Sequence, residues 1–240
     1  MADAAAKRAR MGNGPVAQAV KGLLRRWGIV DRSPMKGFLR GGRGVIHVGA
    51  HVGQERHVYA QYKLNALWIE PIPELFAALR QNLSGFSRQR AVNCLVTDRD
   101  GVEYPFHITS NAGGSSSIFS LAQHEDIWPE VKHSATITVT SKTLPTLLED
   151  EQLDVANYDV LVMDTQGSEL LVLEGAAPII DRFRVIKTEV ADFRAYEGGC
   201  QLADVDAFMQ RHGFFERARN TIALHPSGGG YYDIVYERRS

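Results

Sequence analysis

Four acids in this chain stand at or near the ends of short apolar runs: Glu70 closes LWIE, Asp98 follows LVT, Asp164 closes VLVMD and Glu189 lies in VIKTEV. A carboxylate so placed is held by a buried strand yet reaches solvent, where it can accept hydrogen bonds from hydroxyls or take up a proton. Asp164 and Glu189 end neighbouring runs and would face one spot. A close pair there could share a proton, or bind a hard cation that lowers the pKa of a hydroxyl. The plainer reading has Asp164 capping a helix that begins near Ser168 and Glu189 bonding backbone donors.

A second constellation is GRGVIHVGAHVGQE, residues 42–55. Its apolar run leads into a turn bracketed by Gly49 and Gly53, with His47 and His51 beside it. Such a strand-to-helix turn exposes unpaired N–H groups, and glycine lets a ligand approach them. The turn lacks the G-x-G-x-x-G spacing of a dinucleotide cradle, which argues against a bound pyrophosphate and against a nicotinamide-dependent oxidoreductase. Glu70, 17 residues beyond Gly53, suits the two hydroxyls of a ribose, and Pro71 and Pro73 set where it points. The two histidines straddle a strand and a turn with no third ligand at a recognisable spacing, so no metal site is assigned. His51 stays a candidate base or substrate contact.

The elements that must hold these residues follow from periodicity. Runs at Val45–Val48, Leu67–Ile69, Val160–Met163 and Val185–Val190 need burial on both faces, and Ala91–Thr97 is a further strand candidate. Helical spacing covers roughly Glu55–Tyr62, Pro73–Leu83, Ser168–Glu174 and Gln201–His212. Strands buried on both sides, with helices between them, predict an α/β chain with a mostly parallel sheet and helices on both faces. Val102–Ile108 and Thr136–Thr140 alternate as half-exposed strands do, and NAGGSSSIFS between them reads as a loop. Thr221–Leu224 and Tyr231–Tyr236 around HPSGGG read as a closing hairpin. In open sheets of this kind ligands bind beyond the carboxyl ends of the strands, where all the acids above fall.

At 240 residues, 44% of them hydrophobic and 23% charged, the chain suits one substantial soluble domain with an appended segment. Residues 1–43 hold ten Lys or Arg and two Asp, leaving the remainder with a net charge of −9. That acidic body argues against general nucleic-acid affinity. No run approaches the roughly 18 apolar residues of a membrane span, and the N-terminus has no signal-peptide core. Two cysteines, Cys94 and Cys200, make no disulfide framework, so the expectation is a cytoplasmic protein. The boundaries expected are a basic segment over 1–42 and a main domain over 43–240. Within the segment, VAQAVKGLLRRWGIV has the spacing of an amphipathic helix, read as packing across the main domain and as a candidate for pairing two copies.

VIHVGAHVGQE, WIEPIPELFAALRQNL and DVLVMDTQGSELLVLEGA, with TEV, YEGG and HGFF further on, resemble the FkbM-like family of S-adenosylmethionine-dependent methyltransferases over roughly residues 43–238. The resemblance implies a Rossmann-like class I methyltransferase fold, a seven-stranded sheet with one antiparallel strand. It also implies S-adenosylmethionine as cofactor. Gly49, Ala50 and Gly53 would line its methionine and ribose side, and Glu70 would take the ribose hydroxyls. Asp98 would meet the adenine amino group, while Asp164 and Gln166 would face the transferable methyl. Two departures stand out: His47 replaces an acid found in many members, and Pro145 replaces an expected aspartate.

DTQG stands where amino-group methylators of the nucleobase and amide type carry an Asp/Asn-Pro-Pro-aromatic segment, which favours an oxygen acceptor. The expectation is therefore O-methylation of a hydroxyl on a sugar or small natural product, with Asp164, Glu189 and His51 as candidate catalytic groups. A divalent cation is an option that the sequence does not favour. NAGGSSSIF is a candidate lid over the acceptor. The alternative is a catalytically silent scaffold with a cofactor fold, against which the retained Glu70, Asp164 and Glu189 argue.

Overall fold

In the computed structural model, which describes residues 37–239, the apolar runs become strands of one sheet. The amphipathic pattern expected near the N-terminus lies outside the described residues. In chain order the first half comprises β1 (Gly44–Val48), α1 (Arg56–Gln61), β2 (Asn65–Ile69), α2 (Pro73–Asn82), β3 (Gln89–Val92), β4 (Leu95–Val96) and β5 (Glu103–Thr109). There follow α3 (His124–Ile127), β6 (His133–Lys142), α4 (Leu144–Asp150), β7 (Val160–Met163), α5 (Glu169–Ala176), β8 (Val185–Ala191), α6 (Leu202–Arg211), β9 (Phe214–Leu224) and β10 (Gly230–Arg238).

Seven strands pair in the order β3-β2-β1-β7-β8-β10-β9, with β10 antiparallel to both of its neighbours and the first five parallel. The chain leaves β1 toward β2 on one side and later returns with β7 on the other, so the strand order reverses between β1 and β7. Alternate residues of these strands serve opposite layers. Ile46, Leu67, Leu161 and Ile186 pack with Leu147 of α4, Leu173 of α5 and Phe208 of α6. Val45, Trp68, Val160 and Val162 pack with Tyr59 of α1 and Leu79 of α2. Each run had to be apolar throughout because both layers are helix-covered, as the sequence pattern requires. Leu39, upstream of the expected boundary at residue 43, already belongs to the second of these layers.

The expected strand Ala91–Thr97 is divided. β3 stays in the main sheet, and β4 pairs with β6 in a second sheet of order β4-β6-β5. Asn93 makes the break: its Nδ2 donates to the carbonyls of Glu70 (2.8 Å) and Pro71 (3.0 Å), pinning the chain to the end of β2. The half-exposed strands appear as β5 and β6, with Phe106 buried and Thr136, Thr138 and Thr140 in solvent. Helix α4 is an addition to the sequence reading. Thr143 caps it and Pro145 sits in its first turn, where a missing N–H costs nothing. The closing hairpin is longer than expected because FERARN, polar enough to read as loop, forms the exposed edge strand that charged side chains suit.

Among the described residues no helix is long and apolar enough to cross a membrane, and both cysteines are free.

One glycine in a helix shows how closely α5 meets the end of the second sheet's β4. A Cβ on Gly175 of α5 would stand 2.1 Å from the Thr97 carbonyl oxygen at the end of β4. In an open helix Gly→Ala stabilises by about 1 kcal/mol. Here Gly175→Ala is expected to destabilise the protein by about 2 kcal/mol or more, because backbone must move. Urea unfolding midpoints of the two proteins check the sign.

Candidate active site

The turn after β1 is folded onto its neighbours. The N–H groups of Gly49 and Ala50 both donate to the Ile69 carbonyl at 3.0 Å. A Cβ on Gly49, whose φ is +79°, would lie 1.9 Å from the Asp164 carbonyl oxygen, and one on Gly53 (φ +73°) would lie 2.7 Å from Leu79. Gly49 is thus demanded by packing against the backbone of the β7 loop, and the positive φ favours glycine at both positions.

The Glu70 carboxyl joins this turn to the end of β2. Its Oε2 accepts from the His51 N–H (2.8 Å) and its Oε1 from the Ile72 N–H (3.0 Å). Each oxygen keeps a further lone pair, so two hydroxyls of a ligand could still be received. Burial pushes the Glu70 pKa up to about 7; the two backbone donors oppose that rise and the charge of Asp164 adds to it.

His51 is left-handed, with φ +48°. Gln54 Nε2 donates to its Nδ1 (3.1 Å), which leaves the ring proton on Nε2, and Nε2 donates to the Ala112 carbonyl at 2.9 Å. His51 therefore holds the tip of the Gly/Ser loop over the turn. His47 is a packing residue: it is 6% exposed, stacked on Trp68 and bonded through Nδ1 to the Tyr59 hydroxyl at 3.0 Å. Burial, helped by the charge of Lys187, lowers its pKa to about 3, so its ring is neutral. Among the described residues no three His, Cys, Asp or Glu side chains form a metal-ligand set.

Asp164 and Glu189 do meet. Register aligns Met163 with Thr188, so the next rung sets the two acids side by side. Gln166 Nε2 bridges them, 2.6 Å from Asp164 Oδ1 and 3.4 Å from Glu189 Oε1. Loss of water raises both pKa values above the ordinary carboxylate range, and for Glu189 the charge of Asp164 raises it further. Lys187, one residue pair back on the same face of β8 and ion-paired with Asp233, opposes the rise at both acids. The DTQG loop that carries Asp164 is folded around a buried acid, Glu169, which accepts from Thr165 N (2.9 Å), Thr165 Oγ1 (3.0 Å) and Gly167 N (3.0 Å).

Asp98 follows β4, where its carboxylate pairs with Arg99 (3.0 Å) and its backbone lies against Gly175. The serines of the loop are engaged within the protein. Ser115 Oγ accepts from Asn111, Ser116 Oγ accepts from Thr109 N, and Ser117 Oγ donates to the Gln166 carbonyl at 2.7 Å. Sequence reasoning missed Lys187 and Glu169. The signal for Lys187 was present, since a period of two puts it on the face of Glu189. Glu169 has no such mark, because an acid in the first turn of a helix is ordinary.

The raised Glu70 pKa makes a stability prediction. Between an ordinary value of 4.5 and about 7 the folded chain holds a proton that the unfolded chain releases. Stability linked to this group is whole below 4.5 and lost as pH rises to about 7, by about 3 kcal/mol at most. Glu70→Gln keeps the shape and cannot ionise. Comparing urea unfolding at pH 5 and pH 8, we expect the variant to lose about 1–3 kcal/mol less than the wild type across that interval. An equal loss would remove Glu70 as its source.

Comparison with known proteins agrees with this architecture. TrmK of M. capricolum, solved with S-adenosylhomocysteine, superposes with a TM-score of 0.50 at 8% identity, covering 86% of this chain and 66% of that one. The precorrin-6y C5,15-methyltransferase of Geobacter metallireducens GS-15 gives a TM-score of 0.48 at 13% identity, covering 87% of each chain. In sequence, the chain is 26% identical over 162 residues to the 2-O-methyltransferase NoeI of Sinorhizobium fredii (strain NBRC 101917 / NGR234). That alignment spans 64% of this chain and 65% of the relative, just under two thirds of its length. Residues 47–215 match the model of the methyltransferase FkbM domain, and the chain belongs to that family.

Proposed function

We propose that the protein is an S-adenosylmethionine-dependent O-methyltransferase acting on a hydroxyl of a sugar or small natural product. The observation that carries this reading is the Asp164–Glu189 pair, bridged by Gln166 beside the glycine turn at the point of strand reversal. The relative that methylates oxygen supports the same acceptor class.

Glu70 suits the ribose of the cofactor, since its two oxygens retain lone pairs directed by fixed backbone donors. Gly49, Ala50 and Gly53 would line the same side, with Asp164 and Gln166 toward the methyl. Bound there, S-adenosylmethionine supplies a methyl group already activated by its sulfonium. The chain's own task is to orient the acceptor, exclude water and take a proton. The Asp164–Glu189 pair takes the proton that a hydroxyl must lose. Burial and repulsion by neighbouring acids make it a stronger base than an exposed carboxylate, and Lys187 opposes that rise. This reading needs no divalent cation, because the Lys187 ammonium already provides the neighbouring positive charge.

The loop over 111–117 closes the site from above. Its tip rests on His51, and Gly113 comes so near Leu75 that a Cβ would stand at 2.9 Å. His51 is assigned as the residue that holds the loop, with contact to the acceptor when the loop lifts. The domain proposed over 43–240 carries the whole site.

Calorimetric titration with S-adenosylhomocysteine tests the assignment. Wild type should bind, and Glu70→Ala should bind about ten- to a hundredfold more weakly, the loss of hydrogen bonds to a charged group. Binding would justify an acceptor screen starting with hydroxylated sugars. A folded wild-type protein that does not bind the product would sink the reading.

A further inference from the structure

Gln166 is held at both ends. Its Nε2 faces Asp164 and Glu189, while its Oε1 receives a hydrogen bond from the Tyr196 hydroxyl. The amide nitrogen points at the two acids, whose oxygens accept from it, and its carbonyl points away. The carbonyl end then meets the one group placed to donate to it. The backbone of Gln166 is itself unusual, with φ +55°, and Gly167 follows at φ +99°.

Tyr196 is built into its place. It is 3% exposed, and its ring packs on Gly167, where a Cβ would stand 3.1 Å away. Tyr231 lies within hydrogen-bonding reach of the Tyr196 hydroxyl, and Tyr231 in turn is bonded to Nδ1 of the buried His124 at 2.7 Å. The His124 ring lies 5.5 Å from that of Tyr196. A hydrophobic cluster with Phe193, Leu121 and Trp128 surrounds the group.

We propose that Tyr196 is a positioning residue of this site: by holding the carbonyl end of Gln166 it keeps the amide nitrogen bridging Asp164 and Glu189, and so sets the pH at which the pair becomes a base. The proposal rests on the reading of that pair as the proton acceptor. The amide donates to ionised carboxylates and favours them; a carbonyl that itself accepts a hydrogen bond makes the N–H a better donor. The other charges facing the pair are Lys187 on β8 itself, Asp233 on β10, Glu55 before α1, Glu169 at the start of α5 and Glu70 after β2. None of them touches the amide carbonyl; the Tyr196 hydroxyl also faces the Ser115 carbonyl (3.3 Å) and Tyr231, and the Gln166→Met background separates those links from the one to the amide.

Titration of the Asp164 and Glu189 carboxyl carbons by NMR, with the full chain labelled at Asp and Glu, reads the effect directly. Tyr196→Phe is expected to raise the midpoint of the pair by about half to one pH unit, the worth of one hydrogen bond. Gln166→Met should raise it at least as far, and adding Tyr196→Phe to Gln166→Met should raise it no further. An unchanged midpoint in Tyr196→Phe, or shifts that add in the double variant, would overturn the proposal. If Tyr196→Phe does not fold, 3-fluorotyrosine at the same position keeps the ring and makes the hydroxyl a stronger donor. The midpoint should then fall, and a midpoint that stays would count equally against the idea. Titration with S-adenosylhomocysteine on the same samples reports the methyltransferase reading separately. Product binding with an unmoved midpoint overturns the positioning role alone, and a moved midpoint without product binding removes the methyl-transfer reading while the positioning remains.

Discussion

The close approach of Gly49 to the Asp164 carbonyl governs the geometry of the site. Two chain segments leave adjacent parallel strands at the place where the sheet reverses its order, and here they touch backbone to backbone because one has no side chain. Any larger residue would push the turn after β1 away from the loop after β7. That separation would part Glu70, tied to the turn through the His51 N–H, from Asp164, Gln166 and Glu189. A constraint of packing therefore sets the distance between the candidate cofactor acid and the candidate base.

Electrostatically the site is expensive to fold. Glu70, Asp164, Glu169 and Glu189 are all drawn from water toward one another, and burial raises the pKa of each. The means of support differ. Glu169 is satisfied by backbone and side-chain donors of its own loop and acts as a scaffold. Glu70 accepts two backbone bonds and keeps free lone pairs. Asp164 and Glu189 share one amide and the field of Lys187, which leaves them the least satisfied of the four. Groups with unmet demand for a proton or a partner are where chemistry concentrates, and the stability they forgo is typical of functional sites.

Much of this was legible in the residues. Runs such as VLVM and LWI declared strands covered on both faces, and the acids after them followed from the rule for ligands at strand ends. The meeting of Asp164 with Glu189 was legible as well, since both close neighbouring runs. Three things were hidden. The division of the strand after Ala91 depends on Asn93 reaching two carbonyls of another loop, a contact with no local pattern. Asp98 sits at a strand end, but of the second sheet, and one-dimensional spacing does not say which sheet a strand joins. The engagement of the loop serines by their own loop and by Gln166 is likewise tertiary. The glycines of the turn stand out in the sequence, and in the fold their positive φ and the approach of Gly49 to Asp164 account for them.

The covering loop is fastened largely through main-chain atoms. His51 holds the Ala112 carbonyl, Ser115 offers its carbonyl to Tyr196, and Ser117 pairs with His107 through N–H and C=O groups. Bonds of this kind are indifferent to side-chain identity. The bond to Ala112 is accordingly independent of the side chain there, whereas Ser115, Ser116 and Ser117 also engage their hydroxyls and are less free to change. A main-chain seat of this kind keeps the loop in place while exposed positions of the small sheet, Thr138 and Thr140 among them, change.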